Sequence, residues 1–445
     1  MKKNIILLLL LQVSTNLFSQ KIITQINKEK LDKIDDYISY IGKENQDIGT
    51  ISIFQNGKEI YKREFGKKKK LSCKKNNGNK LYQIGSITKM FTALLLWQLK
   101  EKGELDFNEP LANYFPEMPN SKNIKIKHML NHRSGLGNYA VKNDTIGDWL
   151  FKKVNQKEIL NEIKRQGVLF EADSSLSYSN SAYYLLAKIL EKKYKKSYES
   201  ILKENIIKPL HLHSISTVSK KNIAVPYQKI GKKWYKMNDY YFPNLLGAGN
   251  ITSNMTDLNI FINALFDGKI ISKENLKAML PEQNQYFGMG IMWIPVYKKS
   301  LYGHGGDTRY THTILAYDRE NKISISFSLS GQKYDRNDFF GDILNIMYEM
   351  PFKKPAFSDY IPNFKLYKLY QGKYKGSEVP NIEIYKDKKY NLLMAKSEGY
   401  TFKLEPIGKD KFKNKSIGLV LEFNISKKEC VAKQNGKKII LNKVE

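Results

Sequence analysis

Strand-like patterning stands at both ends of a long helical middle, and this arrangement limits the folds open to the chain more than any other feature. Residues 48–65 read as two strands around Asn56-Gly57, the pair that a tight hairpin turn favours because both positions take positive φ. Strand character returns only over 288–296, 311–317 and 322–329, which read as a meander. Between these, apolar residues recur at helical spacing over 124–131, 154–166, 181–194 and 255–266, the last opened by Asn254-Met255-Thr256 and Asp257. A further helix over 24–40 (Ile26, Leu31, Ile34, Tyr37, Ile38) precedes the hairpin, and another over 339–349 closes the unit. Such an order predicts an α+β domain: one antiparallel sheet with terminal segments adjacent, flanked by helices, and a helical subdomain inserted in the sequence.

At 445 residues the chain exceeds the roughly 250–300 that one core usually serves, so a second unit is expected. Pro351 and Pro355 mark its boundary, and the remainder alternates in short runs over 382–385, 390–395, 418–423 and 438–441. The reading is a main domain over 20–350 and a small all-β domain, barrel or sandwich, over 357–445.

The first 19 residues read as a signal peptide. Lys2 and Lys3 precede an apolar run over 5–11, far shorter than the roughly 20 residues that span a bilayer, with cleavage expected around Ser19–Gln20. The mature protein is therefore expected to be exported, periplasmic or secreted, without a transmembrane anchor.

A net charge of +30 raises the question of nucleic acid. The charge is nearly all Lys and scattered, however, and Arg, whose bidentate fork suits phosphates and base edges, occurs only at 63, 133, 165, 309, 319 and 336. A solvated Lys-rich surface accounts for it, and no nucleic-acid partner is expected. Residues 67–79, polar and rich in Lys and Asn, read as a loop. Cys73 and Cys430 stand far apart, with nothing in the spacing to pair them. No Cys/His cluster has metal-ligand spacing, so neither metal nor cofactor is expected.

The chemistry concentrates in three short elements. Ser86-Ile87-Thr88-Lys89 puts a hydroxyl at a helix start and an amine three residues later on the same face. The next residues, Met90 to Trp97, are almost all apolar, so this lysine rides on a buried helix, expected over 86–102 and stopped at Gly103. A buried ammonium loses pKa and can act as the neutral base that takes the serine proton. Tyr178-Ser179-Asn180, just before a helix expected to start at Ser181, offers a phenol to relay protons and an amide to hold a substrate carbonyl. Gly303-His304-Gly305-Gly306-Asp307 offers an open strand edge for a substrate, with Gly305 and Gly306 clearing its face and His304 as a polar or cationic wall. The N–H groups of Ser86 and Asp307 could together form an oxyanion hole.

In that order, S-x-x-K, Y-x-N and a His-Gly box resemble the serine β-lactamase and penicillin-binding-protein superfamily, in its class C-like branch of esterases, D-peptidases and β-lactamase-related proteins. LYQIGSITKMFTALLLWQLKEKGELDFNEPLANYFPEMPN is similar to the family's nucleophile helix and following loop, IKIKHMLNHRSGL to its HLLTHTSGL segment, and GAGNITSNMTDLNIF to its GGL-S-T-DLARF segment. FGMGIMW and GHGGDTRYTHTILAYD resemble its far sheet strands, so the likeness runs over about 48–329.

The resemblance implies a serine hydrolase with Ser86 as acylated nucleophile, Lys89 as base and Tyr178 as the second-motif tyrosine. Asn180, His304, Gly305, Gly306 and Asp307 would bind a small-molecule or peptide substrate: a D-peptide, a small ester or a β-lactam. His304 stands where many relatives carry Lys, which removes a permanent cation for a substrate carboxylate. The Pro-Gly usual before the second motif is replaced by Phe170-Glu171-Ala172-Asp173. His132 reads as a core residue of a structural turn, not a catalytic one. The module from 357, opened by Tyr370-Gln371-Gly372-Lys373-Tyr374, resembles the lipocalin-like barrel behind some of these hydrolases. The alternative is a non-catalytic protein that binds peptides or cell-wall fragments on the same fold.

Overall fold

The computed structural model describes residues 25–444 apart from 67–79, 143–144, 147, 218–221, 231–232, 284, 297–298, 358–359, 361, 377–380, 388–391, 398–399, 415–417 and 435–436. The expected signal segment, the loop expected over 67–79 and Cys73 therefore lie outside the described residues.

Helix α1 (Lys28–Lys43) starts where the Asn27 side chain accepts from the Lys30 N–H at 3.0 Å. Strands β1 (Asp47–Gln55) and β2 (Lys58–Phe65) follow, joined by Asn56 and Gly57 at φ 51° and 76°, the turn that the Asn-Gly pair predicts. The helical middle includes α2 (Thr88–Glu101), α3 (Asn180–Tyr194) and α4 (Met255–Phe266). The chain then returns to the sheet as β3 (Met292–Val296), β4 (Lys299–Asp307), β5 (His312–Asp318) and β6 (Ile323–Gln332), and α5 (Arg336–Met347) follows. These strands form an antiparallel array in the order β2-β1-β6-β5-β4-β3. The last strand thus lies beside the first, with Ile51 opposite Phe327.

The two faces of this sheet are built from different chemistry, and the period-2 run Ile323-Ser324-Ile325-Ser326-Phe327-Ser328-Leu329 shows why. Ile325, Phe327 and Leu329 join Ile51, Ile53 and Ile314 in a core under Ile34, Tyr37 and Ile38 of α1 and Phe339 and Ile343 of α5. The buried serines face α4. Asn259 donates to Ser52 Oγ at 2.9 Å, Asn263 to Ser324 Oγ at 2.7 Å, and Ser326 Oγ to the Met255 carbonyl at 2.7 Å. Small side chains let the helix approach closely, and the hydrogen bonds satisfy groups that would be costly to bury alone. Asn259 and Asn263 are four apart, so both reach the sheet from one helix face.

Three details differ from the sequence reading. The strands read from sequence leave out 299–307, yet the Gly box is the end of β4, a strand whose glycines and histidine carry little β-propensity. Helix α3 begins at Asn180, one residue sooner than expected, because Ser179 is its N-cap and accepts from the Ala182 N–H at 3.2 Å. Tyr370 ends a short helix, Tyr367–Tyr370, so the first strand of the terminal module starts at Gly372. That module is a closed eight-stranded barrel, from Gly372–Lys375 to Lys437–Lys443, which decides between barrel and sandwich. Leu393, Leu404, Phe412 and Leu421 fill its interior. Cys430 is buried there, and burial pushes its thiol up to about 12. No helix among the described residues is long and apolar enough to cross a membrane.

Candidate active site

Ser86 sits in a single 3-10 turn, Gly85–Ile87, that leads into α2. The turn is pressed against β4, and two glycines make the approach possible. A Cβ at Gly306 would stand 1.8 Å from the Ile84 carbonyl oxygen, and one at Gly85 would stand 2.7 Å from the Asp307 nitrogen. Gly85 also has φ 51°, which other residues adopt only at a cost. The backbone nitrogens of Ser86 and Asp307 are thereby brought to the same edge.

A third segment, 247–251, clasps the start of α2. Ile251 N–H donates to Thr88 Oγ1 at 3.2 Å, Thr92 Oγ1 donates to the Gly247 carbonyl at 2.7 Å, and Ile84 N–H donates to the Ile251 carbonyl at 3.0 Å. This clasp delivers the Ala248 carbonyl to Lys89.

Lys89 is wholly buried, and that burial alone pushes its amine well below the ordinary lysine value. Its Nζ lies 3.2 Å from Ser86 Oγ, 2.7 Å from Asn180 Oδ1 and 2.9 Å from the Ala248 carbonyl oxygen. A neutral amine has two N–H groups and one lone pair. The two carbonyl oxygens can only accept, so they take both N–H groups, and the lone pair is left for the serine hydroxyl. The Tyr178 ring lies under Nζ, its centroid 4.7 Å away.

Tyr178 stays protonated at neutral pH: burial raises its pKa, and an interaction with the Ser86 hydroxyl only partly opposes this. Asn180 is oriented from its other end, donating to Asn138 Oδ1 at 3.1 Å. His132 backs this group, its ring centroid 4.3 Å from that of Tyr178, while its Nδ1 accepts from the Ser179 N–H at 3.3 Å. Burial holds it neutral, so it is a packing and positioning residue.

His304 is 3% exposed, with its ring centroid 6.4 Å from that of Tyr178. Burial, with a smaller effect of Lys89 when that amine is protonated, takes its pKa to about 3, which keeps the ring uncharged at neutral pH. Asp307 has half its side chain open to solvent and accepts from His312 Nδ1 at 2.8 Å and from Arg336. Partial burial works to raise its pKa, but these two partners bring the carboxyl down to about 2.

The three elements read from sequence therefore meet at one place. Missing from that reading are the Ala248 carbonyl, Asn138, Arg336 and Asp239. The Asp239 carboxylate accepts from Thr308 Oγ1 and, at 2.9 Å, from the Arg309 N–H, in the turn that follows Asp307. Asn138, Arg336 and Asp239 lie outside the segments quoted above, and Ala248, though inside GAGNITSNMTDLNIF, acts only through the contact of its carbonyl with Lys89.

Residues 36–345 match the Beta-lactamase family. A Bacillus subtilis (strain 168) protein described as a penicillin-binding protein, PbpX, is 31% identical over 338 residues, which are 72% of this chain and 78% of that protein. A teichoic acid D-alanine hydrolase of Staphylococcus aureus is 29% identical over 261 residues, 57% of this chain and 62% of that protein. In three dimensions the chain is similar to the D-amino acid amidase from Ochrobactrum anthropi SV3 solved with D-phenylalanine, at TM-score 0.63 and 22% identity over 71% of this chain and 99% of that one. It is also similar to the octameric penicillin-binding protein homologue from Pyrococcus abyssi, at TM-score 0.63 and 20% identity over 92% of this chain and 99% of that one.

Proposed function

This chain belongs to the Beta-lactamase family, and from that membership we propose that it is an exported serine hydrolase acting through an acyl-enzyme on Ser86. One observation carries the reading: two carbonyl acceptors occupy the N–H groups of Lys89 and leave its lone pair for Ser86. Lys89 takes the hydroxyl proton as Ser86 Oγ bonds to the substrate carbonyl carbon. The oxyanion sits between the N–H groups of Ser86 and Asp307. As the carbon–oxygen or carbon–nitrogen bond breaks, the proton passes from Lys89, directly or through Tyr178, to the departing group. Water then attacks the acyl-enzyme by the same route in reverse, releasing the acid and restoring Ser86.

The substrate class we favour is a D-aminoacyl ester or amide, which the D-alanine hydrolase and D-amino acid amidase among its relatives support. Asn180, His304, Gly305, Gly306 and Asp307 would border that substrate. The hydrolase unit would run over 20–350 and the barrel unit over 357–445, with the N-terminal 19 residues removed on export.

Hydrolysis of a short-chain p-nitrophenyl ester by the mature protein, beside Ser86→Ala, tests the reading. Turnover that vanishes in the variant is expected; turnover at the same rate in both would refute it.

A further inference from the structure

The terminal barrel is closed inside, where Leu393, Leu404, Phe412 and Leu421 pack together, but it carries a groove at one end. The short helix Tyr367–Tyr370, the turn over 424–428 and the close of the last strand at Lys443 and Val444 surround about 360 Å³. The floor is apolar, made by the buried rings of Tyr370, Tyr374 and Phe423. Around the mouth stand Leu369, Ile425 and Val444, which are 46%, 37% and 48% exposed. Large apolar side chains gathered at one groove and left in water mark a place where something binds.

Charge narrows what that is. Lys368, Lys428 and Lys443 line the groove against the single carboxylate of Glu429, and among the described residues none of the three lysines is in an ion pair. Lys443 is half-buried and held in place. Its Nζ donates to the Leu369 carbonyl at 3.1 Å and lies 5.9 Å from the centroid of the Tyr374 ring, so the ammonium keeps N–H groups to give at the groove itself.

An alkyl chain laid on the floor rings would cover the exposed apolar groups, and an anionic head would meet the ammonium groups. The volume falls in the roughly 300–1,000 Å³ range of small-ligand sites, and a flat bilayer surface would touch the rim without reaching the rings. We infer that this end of the barrel binds a single-chain anionic amphiphile, with its chain along Tyr370, Tyr374 and Phe423 and its head at Lys443. The inference stands on the barrel alone and does not depend on the role of Ser86.

Calorimetric titration of the mature protein with dodecanoate, below the concentration at which it forms micelles, tests it. The expected result is one molecule bound per chain, about tenfold more tightly than the uncharged dodecyl maltoside. Lys443→Gln and Leu369→Glu should each weaken binding about tenfold, the first by removing the held cation and the second by setting a like charge at the rim. Lys277→Gln, at an exposed lysine of the helix Lys273–Met279, should leave it unchanged. Leu369 is exposed, so its replacement leaves the barrel packing intact, and circular dichroism checks this. Equal affinity in the wild type and all three variants would trace binding to the Lys-rich surface at large and overturn the inference. Equal affinity for the maltoside, or no binding to dodecanoate, would overturn it too. Binding confined to vesicles of anionic phosphatidylglycerol would assign this face to a bilayer and remove the single-chain site.

Discussion

The Lys89 amine lies 3.2 Å from the Ser86 hydroxyl, one helical turn along the same face, and its other two hydrogen bonds go to carbonyl oxygens. A base held in this way needs its neutral form, and burial supplies it by lowering the amine's pKa well below the ordinary lysine value. Acylation should therefore rise with pH through that lowered value and be flat above it. Lys89→Arg keeps the charge but cannot supply a neutral base, so it should cost on the order of 10²–10⁴ in acylation rate. Stopped-flow acylation across pH checks both statements.

Gly306→Ala should separate folding from catalysis. Its methyl group would meet the Ile84 carbonyl oxygen at 1.8 Å, so β4 must move off the Ser86 turn and carry the Asp307 N–H with it. Loss of one oxyanion donor costs on the order of 10²–10³ in kcat. The far-ultraviolet circular dichroism should stay close to wild type, because the sheet and barrel do not depend on this contact. By contrast, a Cβ at Gly341, inside α5, meets nothing within 4 Å. Gly341→Ala should raise stability by about 0.5–1 kcal/mol in urea unfolding.

Asp239→Ala should lower kcat with little change in KM. The carboxylate holds Thr308 and the Arg309 N–H, and so sets the turn on which the Asp307 N–H is carried. Asp239→Asn keeps an acceptor oxygen and should recover part of the rate. A drop in melting temperature with kcat preserved would show a purely structural role.

His304 links stability to acid. Its folded-state pKa of about 3 lies below the ordinary 6.5, so between those values the unfolded chain binds a proton that the folded chain refuses. Its contribution to stability is complete above about 6.5 and is lost as pH falls toward 3. Urea midpoints measured over that window should fall less steeply in His304→Asn than in the wild type.

Much of this is legible in the sequence. The Asn56-Gly57 hairpin, the Ile/Ser alternation of β6 and the Asn254-capped α4 each announce themselves within a few residues. The Ser86, Tyr178 and Gly303 motifs do so as well, since each is a short run with unusual chemistry. The box strand β4 escaped because Gly303, Gly305 and Gly306 dilute the strand signal, and only pairing with β5 and the turn at Gly85 makes it extended. Asn138, Asp239, Ala248 and Arg336 escaped for another reason: their roles exist only through contacts across long stretches of chain. The charge state of His304 likewise depends on burial among Lys89 and Tyr178, which periodicity does not report.

The central claim is that Ser86 carries the acyl group. The most direct test is intact-mass analysis of the protein quenched during turnover of a D-alanyl ester, followed by peptide mapping. The account predicts a single added acyl group on the peptide that contains Ser86, absent from Ser86→Ala. Hydrolysis with the acyl group on another residue, or undiminished in Ser86→Ala, would contradict it.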